Sequence, residues 1–362
     1  MVKILRAKRF IAAAALSISL SMTSHALQIN WMPISINPLP ARSGHTAASC
    51  PDGSVLSFGG YSETETGRDV VNDLWLFSHG CWKKMQESSE RQDGARPGPR
   101  LCSSSVVVGG KFILFGGWDP ESAGTGGKIL DDIWSLDLKS FQWECLSQRM
   151  IRGACSRHVA CTIRNGNAAI IHTFRCTNSI LVYESLTGMQ EVQTTGQAPP
   201  SLGLHAAATT GNDTIIVFGG ALKDGTMLGD TFALDTHSWQ WRKVATTGPR
   251  PTPRAGACLA AVGGVHNKII MCCGAERSGA GLLPRSDVWL LDLERGIDGE
   301  WRLLESDVDP NVTVSQKHPC PRNAATLIPI GDGLRFLLHG GWHPFKKTFA
   351  DSFVLSVISS VN

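Results

Sequence analysis

The chain has 362 residues, of which 42% are hydrophobic and 18% charged, and its formal net charge is +3. Four of the 34 basic residues lie in residues 1–26, which contain no acidic residue, so the rest of the chain carries 30 basic against 31 acidic residues. This composition is typical of a globular protein with a large core. The near-neutral balance argues against a nucleic-acid-binding surface, which needs clustered Lys and Arg.

Residues 1–26 have the segment order of a secretory signal peptide. A basic start, MVKILRAKRF, precedes the apolar run IAAAALSISLSM, and Ser24 and Ala26 supply small residues before a cleavage site. The run is shorter than the roughly 20 residues of a spanning helix, and the sequence predicts no transmembrane span. We expect secretory or extracellular localisation. The 11 cysteines, however, show no disulfide spacing, so an organelle transit peptide or a cytoplasmic protein are the alternatives.

Six similar units follow, with a period near fifty residues. Each has a strand of small residues, a turn with Gly, Asp or Asn, and an apolar strand that usually ends in a diglycine. After a variable loop come a third strand preceded by Asp or Asn and a short strand opened by tryptophan. This order predicts four antiparallel strands per unit, which is one blade of a β-propeller. The approximate bounds of the units are 42–86, 100–147, 152–193, 202–245, 254–304 and 322–357.

The sixth unit ends after its third strand, so its fourth strand has to come from another part of the chain. Residues 29–34, INWMPI, place Trp31 on a short apolar run before the first unit. Unpaired sheet edges promote aggregation, and closing the ring removes them. We therefore predict that this segment completes the last blade.

The diglycines, the spaced aromatic residues and the recurring tryptophan together resemble the kelch-repeat family over residues 29–357. The resemblance implies an all-β fold with one domain, residues 27–362. The domain would be a six-bladed kelch-type β-propeller whose last blade is closed by the N-terminal strand around Trp31. Two units depart from the pattern, since the third has IIHTF in place of the diglycine and the fifth has MCCGA.

Arginine and histidine recur where the inner strand of each unit begins. The fourth unit has Leu202 in place of the arginine, and Arg157 aligns less well than the others. Recurrence once per blade predicts a ring around the mouth of the central channel, where converging guanidiniums would suit carboxylates. In kelch proteins that act as substrate adaptors, the similar surface binds short acidic peptides. Alternatively, these side chains bond to carbonyls of a neighbouring blade and hold the turns in place. The candidates are Arg42, His45, Arg100, Arg157, His158, His205, Arg254 and Arg322.

Two tryptophans directly follow diglycines and are further candidates for binding. Trp118 and Trp342 each precede a proline by two positions, in loops expected on the same face as the ring. Tryptophan is a frequent anchor in protein interfaces. The alternative is that each indole folds back over its own blade.

The sequence contains no complete catalytic or metal-binding motif. Cys155, His158 and Cys161 are closely spaced, but in a strand the first and third share a face while His158 points away. We predict a monomeric, non-catalytic interaction scaffold without a cofactor, which binds a protein or an acidic peptide at the mouth. The alternatives are an exported enzyme similar to kelch-type sialic acid mutarotases, since an acidic sugar would suit the same arginines, and a carbohydrate-binding propeller.

Overall fold

Strands account for nearly all of the regular structure. The computed structural model describes residues 27–35, 39–64, 67–85, 96–122, 126–263, 267–279, 281–293, 298–307, 317–344 and 346–359. Within these residues the strands form six sheets of four to six strands and one two-stranded ribbon, with a single 3-10 turn at Arg164–Gly166. Residues 1–26, on which the prediction of export depends, lie outside this part of the chain. The described residues form no helix long and apolar enough to cross a membrane.

The first three sheets, called blades 1 to 3, run in chain order from the inner to the outer strand. Blade 1 consists of Arg42–Ser43, Thr46–Ser49, Val55–Thr64, Gly67–Ser78 and Cys81–Lys84. Blade 2 consists of Ser104–Val108, Lys111–Asp119, Lys128–Asp137 and Trp143–Ser147. Blade 3 consists of Val159–Ile163, Ala168–His172, Ser179–Glu184 and Gly188–Gln193. All the pairings within these blades are antiparallel, as the tight turns predict.

Blades 4 and 5 each gain a parallel outer strand from the segment that precedes them. Blade 4 consists of Ala206–Thr209, Thr214–Phe218, Thr231–Asp235 and Gln240–Lys243, with Thr195–Gly196 outside. Blade 5 consists of Ala255–Ala261, Lys268–Ser278, Gly281–Pro284, Val288–Asp292 and Asp298–Glu305, with Ala245–Thr247 outside. Blade 6 consists of Thr326–Ile330, Arg335–His339, Ser352–Ser359 and Leu27–Ile34, and the ribbon Trp342–His343 with Lys347–Thr348 lies beside it.

The blades are arranged in a closed circle. The inner strand of each blade contacts the inner strand of the next, and the inner strand of blade 6 contacts that of blade 1. Small side chains recur on these strands because six of them crowd around one axis. The described residues therefore form a β-propeller, and the prediction of an all-β propeller is confirmed.

The outer strand of blade 6 comes from the start of the described chain. Leu27–Ile34 pairs antiparallel with Ser352–Ser359, and Trp31 lies opposite Leu355. The Trp31 side chain is 5% exposed, and its ring meets the edge of Phe353 at 6.1 Å between centroids. The prediction that INWMPI completes the last blade is confirmed, and the strand joins the two ends of the chain.

Neighbouring blades are held together by one repeated aromatic contact. The last residue before the diglycine position packs against an indole on the outer strand of the next blade. The pairs and the distances between their ring centroids are Phe58–Trp143 at 5.4 Å, His172–Trp241 at 5.5 Å, Phe218–Trp301 at 5.3 Å and His339–Trp82 at 5.2 Å. Trp31 continues the series, since it shares a buried cluster with Cys272 of blade 5. Such aromatic burial contributes much of the packing energy between sheets.

Candidate functional site

The antiparallel order of the strands gives the ring two different faces. Every inner strand begins at one end of its blade, where the second strand ends and the third begins. We call this end the mouth face. The turns that join first to second and third to fourth strands lie at the other end, which we call the opposite face. The predicted site residues all lie at the mouth face.

Four of the predicted arginines form the same buried ion pair, one in each of four blades. The two terminal nitrogens of each guanidinium donate to the two oxygens of an aspartate that lies within the third strand or directly before it. The pairs are Arg42–Asp73 at 2.9 and 3.1 Å, Arg100–Asp132 at 2.6 and 2.9 Å, Arg254–Asp287 at 2.5 and 2.9 Å, and Arg322–Asp351. Burial would raise the pKa of Asp73, but the hydrogen bonds and charge of Arg42 outweigh it and lower that pKa.

Backbone carbonyls accept further hydrogen bonds from these arginines. Nη1 of Arg42, Arg100 and Arg322 donates to the carbonyl of the first glycine of the diglycine, at 3.0 Å in each case, and Arg254 donates to Cys273 at 3.2 Å. Nε donates to the carbonyl two residues earlier. The four side chains are at most 2% exposed. This corrects the prediction that Arg42, Arg100, Arg254 and Arg322 form a positive funnel, because their charges are buried and balanced. They hold the turns of their own blade, whereas the alternative interpretation expected bonds to carbonyls of a neighbouring blade.

Arg157 occupies a different position from the other four arginines. The amide of Gly117 donates to the Cys155 carbonyl at 2.9 Å, just as the amide of Gly60 donates to Arg100 at 2.8 Å. Cys155 therefore stands at the arginine position of blade 3, and Arg157 lies two residues further on. Unlike the buried arginines, Arg157 is exposed.

Arg157 belongs to a circle of six backbone hydrogen bonds around the mouth. One residue from each blade donates its amide to the carbonyl of its counterpart in the preceding blade. The members are Gly44, Cys102, Arg157, Leu204, Gly256 and Ala324, with distances from 2.7 to 3.2 Å, and Gly44 closes the circle on Ala324. All six have φ between 52° and 65°. Four are not glycine, and such residues rarely adopt this conformation unless the surrounding structure imposes it.

A pocket of about 140 Å³ opens inside this circle. Its polar lining comes from His45, Cys102, Ser103, Arg157, His158 and His205. The three imidazoles are at least 94% buried, so Arg157 is the side chain that carries charge at the pocket. We call this the mouth pocket.

Several buried polar atoms of the mouth pocket have no hydrogen-bond partner among the described residues. They are His45 Nδ1, Ser103 Oγ, both ring nitrogens of His158 and His205 Nδ1. The backbone of Phe115 lies near His158 without forming a well-aligned bond. Unsatisfied buried polar groups are costly, and water or a ligand is their usual partner. The pocket therefore offers several positions for hydrogen bonds to a ligand.

The histidines of the pocket are neutral at physiological pH. Burial, and then the charge of Arg42, lower the pKa of His45 to about 3, and burial lowers the pKa of His158 to about 4. Burial, with neighbouring His172 and His158, holds the pKa of His205 well below its usual value. His205 Nε2 lies 2.9 Å from His172 Nδ1, and His45 Nε2 lies 2.9 Å from Thr326 Oγ1. His45 and His205 therefore each keep one ring nitrogen, and His158 keeps both, that can serve as a donor or an acceptor.

Trp118 of blade 2 lies beside Arg157 of blade 3. The guanidinium carbon of Arg157 lies 6.0 Å from the centre of the Trp118 ring, within the range of a cation–π contact. Trp118 is half-buried, and its backbone pairs with Leu101 of its own blade. Trp342 has the equivalent backbone pairing with Asn323 in blade 6 and is also half-buried. Both tryptophans thus lie on the mouth face, and the structure places Trp118 against the exposed arginine.

The aspartate partners of the arginines were not predicted from the sequence. In four units an Asp follows the arginine by 29 to 33 residues, within the third strand or directly before it. That co-occurrence was visible, since blade 3 lacks both residues and has Cys155 and Ser179 instead. His172 and His339, which stand where other blades have phenylalanine, were also not identified as neighbours of the site.

A closed ring of repeated sheets with diglycines and a buried Arg–Asp pair defines a kelch-type β-propeller. The chain belongs to the kelch-repeat family. The family model described as KLHDC2/KLHL20/DRC7 Kelch-repeats domain matches residues 14–189 and 172–361. The solved structure of YjhT has a similar fold, with a TM-score of 0.62 and 16% identity, over 90% of this chain and 99% of that one.

Curated proteins similar to this chain include plant kelch proteins. Adagio protein 3 of Arabidopsis thaliana is 29% identical over 296 residues, which are 75% of this chain and 42% of that protein. An F-box/kelch-repeat protein of the same plant is 25% identical over 332 residues, which are 88% of this chain and 55% of that protein. Adagio-like protein 3 of Oryza sativa subsp. japonica is 26% identical, over 75% of this chain and 41% of that protein. The chain thus spans about half or less of the length of these relatives.

Proposed function

We propose that this propeller is a non-catalytic interaction module that binds a protein or an acidic peptide on its mouth face. The observation that carries the proposal is the position of Arg157. It is an exposed guanidinium beside a half-buried indole, and it stands at the edge of a pocket whose buried polar atoms lack partners. An acidic side chain could pair with Arg157 while its carboxylate accepts hydrogen bonds from the pocket.

Exposed apolar side chains on the mouth face support a macromolecular partner. Ile129, Ile151, Leu282 and Leu283 are 37 to 52% exposed, and all four lie on loops or strand ends of the mouth face. Aliphatic and aromatic side chains around a few polar anchors are typical of protein interfaces. The name of the similar F-box/kelch-repeat protein of Arabidopsis thaliana also combines the repeats with another module.

The proposal is tested by retention on an immobilised glutamate-rich peptide at low salt. The substitution Arg157→Gln removes the exposed charge, and we expect it to weaken binding about tenfold, as for the loss of one hydrogen bond between charged groups. Arg164→Gln is the matched control, because Arg164 is an exposed arginine of the same blade on the opposite face. Equal retention of both variants and the wild type would exclude Arg157 from the binding site.

Acid–base catalysis on a small acidic sugar is a second candidate function. It is favoured by the neutral imidazoles of His45 and His158, each with an unpaired nitrogen, next to a guanidinium that could bind a carboxylate. The pocket volume ranks this candidate second, because about 140 Å³ is well below the roughly 300–1,000 Å³ of most small-molecule sites. Faster exchange between sialic acid anomers in NMR spectra, lost in His158→Gln, would favour the enzyme over the interaction module.

A further inference from the structure

On the opposite face the first turns of neighbouring blades lie side by side. Among the described residues, hydrogen bonds link these turns at four of the six junctions, from blade 2 round to blade 6. These are Gly109 N to Gly166 O at 3.2 Å, Arg164 N to Asp213 Oδ2 at 3.1 Å, Asn212 Nδ2 to Asn267 Oδ1 at 3.5 Å and Gly263 N to Gly333 O at 2.8 Å. In the part of the chain that the structure describes, no such bond joins the turn at 50–54 to the turn at 109–110.

A cleft of about 350 Å³ lies at this junction. Most of its wall is apolar and comes from the outer parts of both blades, with Pro51, Leu56, Leu76, Leu138 and Phe141 as the main contributors. Gly110 widens the cleft, since a Cβ at this position would meet no atom within 4 Å. We call this space the inter-blade cleft. Its volume falls within the range of small-molecule sites, roughly 300–1,000 Å³.

Two charged side chains of opposite sign also line the inter-blade cleft. Asp52 and Lys139 are both exposed and belong to different blades. Oδ1 of Asp52 accepts hydrogen bonds from the amide and the hydroxyl of Ser54, at 3.0 and 2.6 Å. Among the described residues, Nζ of Lys139 has no hydrogen-bond or ion-pair partner. The cleft thus combines an apolar interior with one anionic and one cationic group.

We propose that the inter-blade cleft binds a zwitterion with a large apolar body, specifically a free aromatic α-amino acid. The ammonium group pairs with Asp52, the carboxylate pairs with Lys139, and the ring packs against Leu76, Leu138 and Phe141. An aromatic ring gains from burial and from edge or stacked contacts with Phe141. The proposal is independent of the function proposed for the mouth face, since the two sites lie at opposite ends of the ring.

Titration calorimetry with L-tryptophan and L-phenylalanine tests the proposal on the full chain. We expect saturable binding that weakens about tenfold in Lys139→Gln and in Asp52→Asn, because each substitution removes one charged hydrogen-bond partner. Leu138→Trp fills the cleft without changing its charges and should abolish binding. Lys83→Gln, an exposed lysine of blade 1 outside the cleft, is the control for net charge and should bind as the wild type does. Thermal unfolding by circular dichroism checks that each variant is folded.

The amide N-acetyl-L-tryptophanamide separates zwitterion recognition from simple apolar binding. It retains the indole but has neither charge, so we expect no measurable heat of binding. Absence of binding by both amino acids, unchanged binding in Leu138→Trp, or equal binding of the uncharged amide would each overturn the proposal. Retention on the acidic peptide is expected to be unaffected by Leu138→Trp, so failure at one site is distinguishable from failure at the other.

Discussion

Arg42 and Asp73 form a two-point ion pair, with 2.9 and 3.1 Å between the guanidinium and carboxylate atoms, and the arginine is fully buried. The same carboxylate accepts a hydrogen bond from the Trp75 indole at 2.6 Å. One aspartate therefore joins the loop before the inner strand to the third strand of the same blade. Equivalent pairs recur in blades 2, 5 and 6, so these arginines are part of the framework that carries the mouth face.

Removing one partner of such a pair is expected to destabilise the fold. Arg254→Ala leaves Asp287 buried without its cation, and we expect the free energy of unfolding to fall by about 3–5 kcal/mol. Urea unfolding followed by tryptophan fluorescence measures the change. Arg250→Ala, an exposed arginine in the preceding segment, is the control and should change the stability by less than about 0.5 kcal/mol. A loss no larger than that of the control would show that the pair contributes little.

Trp31→Ala tests the closure of the ring. The indole is 5% exposed and packs on Phe353 and on residues of blade 5, so its truncation leaves a cavity. We expect a loss of about 3–5 kcal/mol in the free energy of unfolding. Met32→Ala, next to it on the same strand and 53% exposed, should have little effect. Equal effects of the two substitutions would contradict the packing described for Trp31.

The architecture was predictable because it depends on patterns that recur in the sequence. Six copies of a strand order identify the blades, and the sixth copy lacks the one strand that Trp31 supplies. The burial of the four arginine side chains was not predictable in the same way. The charge of a residue and its position along the chain do not show whether its side chain is buried. The pairing of Arg100 with Asp132 depends on a contact between residues 32 positions apart.

The alignment of Arg157 failed for a related reason. The residue at the arginine position of blade 3 is Cys155, which has no chemical similarity to the residue it replaces. Backbone hydrogen bonds identify it, from the Gly117 amide to its carbonyl and from its own amide to Leu130 O. Arg157 has φ of 58°, and nothing in its side chain indicates that conformation. The sequence prediction thus grouped Arg157, which is exposed at the mouth pocket, with four arginines that are buried in ion pairs.

The buried histidines predict that stability decreases as the pH falls below neutrality. In the unfolded chain His158 titrates near 6.5, but burial lowers its pKa to about 4 in the folded protein. Between these values the unfolded state binds more protons than the folded state. The free energy of unfolding therefore decreases as the pH is lowered. The contribution of His158 approaches about 3 kcal/mol, at roughly 1.4 kcal/mol per pKa unit. His45, with a pKa of about 3, adds to the same trend.

Urea unfolding at several pH values between 7 and 5 measures this dependence. His158→Asn should reduce the slope of stability against pH, whatever its effect at pH 7. A slope that is the same in wild type and His158→Asn would show that folding does not lower the pKa of this imidazole.

Two cysteines are expected to react slowly with thiol reagents. Burial raises the pKa of Cys155 and of Cys161 to about 12, and the thiolate is the reactive form. Modification by a disulfide reagent, located by mass spectrometry of peptides, should reach these residues only after denaturant is added. The half-buried Cys81 and Cys320 should react earlier. Rapid labelling of Cys161 in the folded protein would contradict its position in the crowded ring of inner strands.

Site-specific photocross-linking is the most direct test of the central claim that partners bind on the mouth face. A photoreactive residue at Ile129, 45% exposed beside Trp118, is compared with one at Leu186, which is 99% exposed on the opposite face. The account predicts that a retained acidic peptide cross-links through position 129, that Arg157→Gln reduces the yield, and that position 186 gives none. Cross-linking through position 186 alone, unaffected by Arg157→Gln, would contradict it.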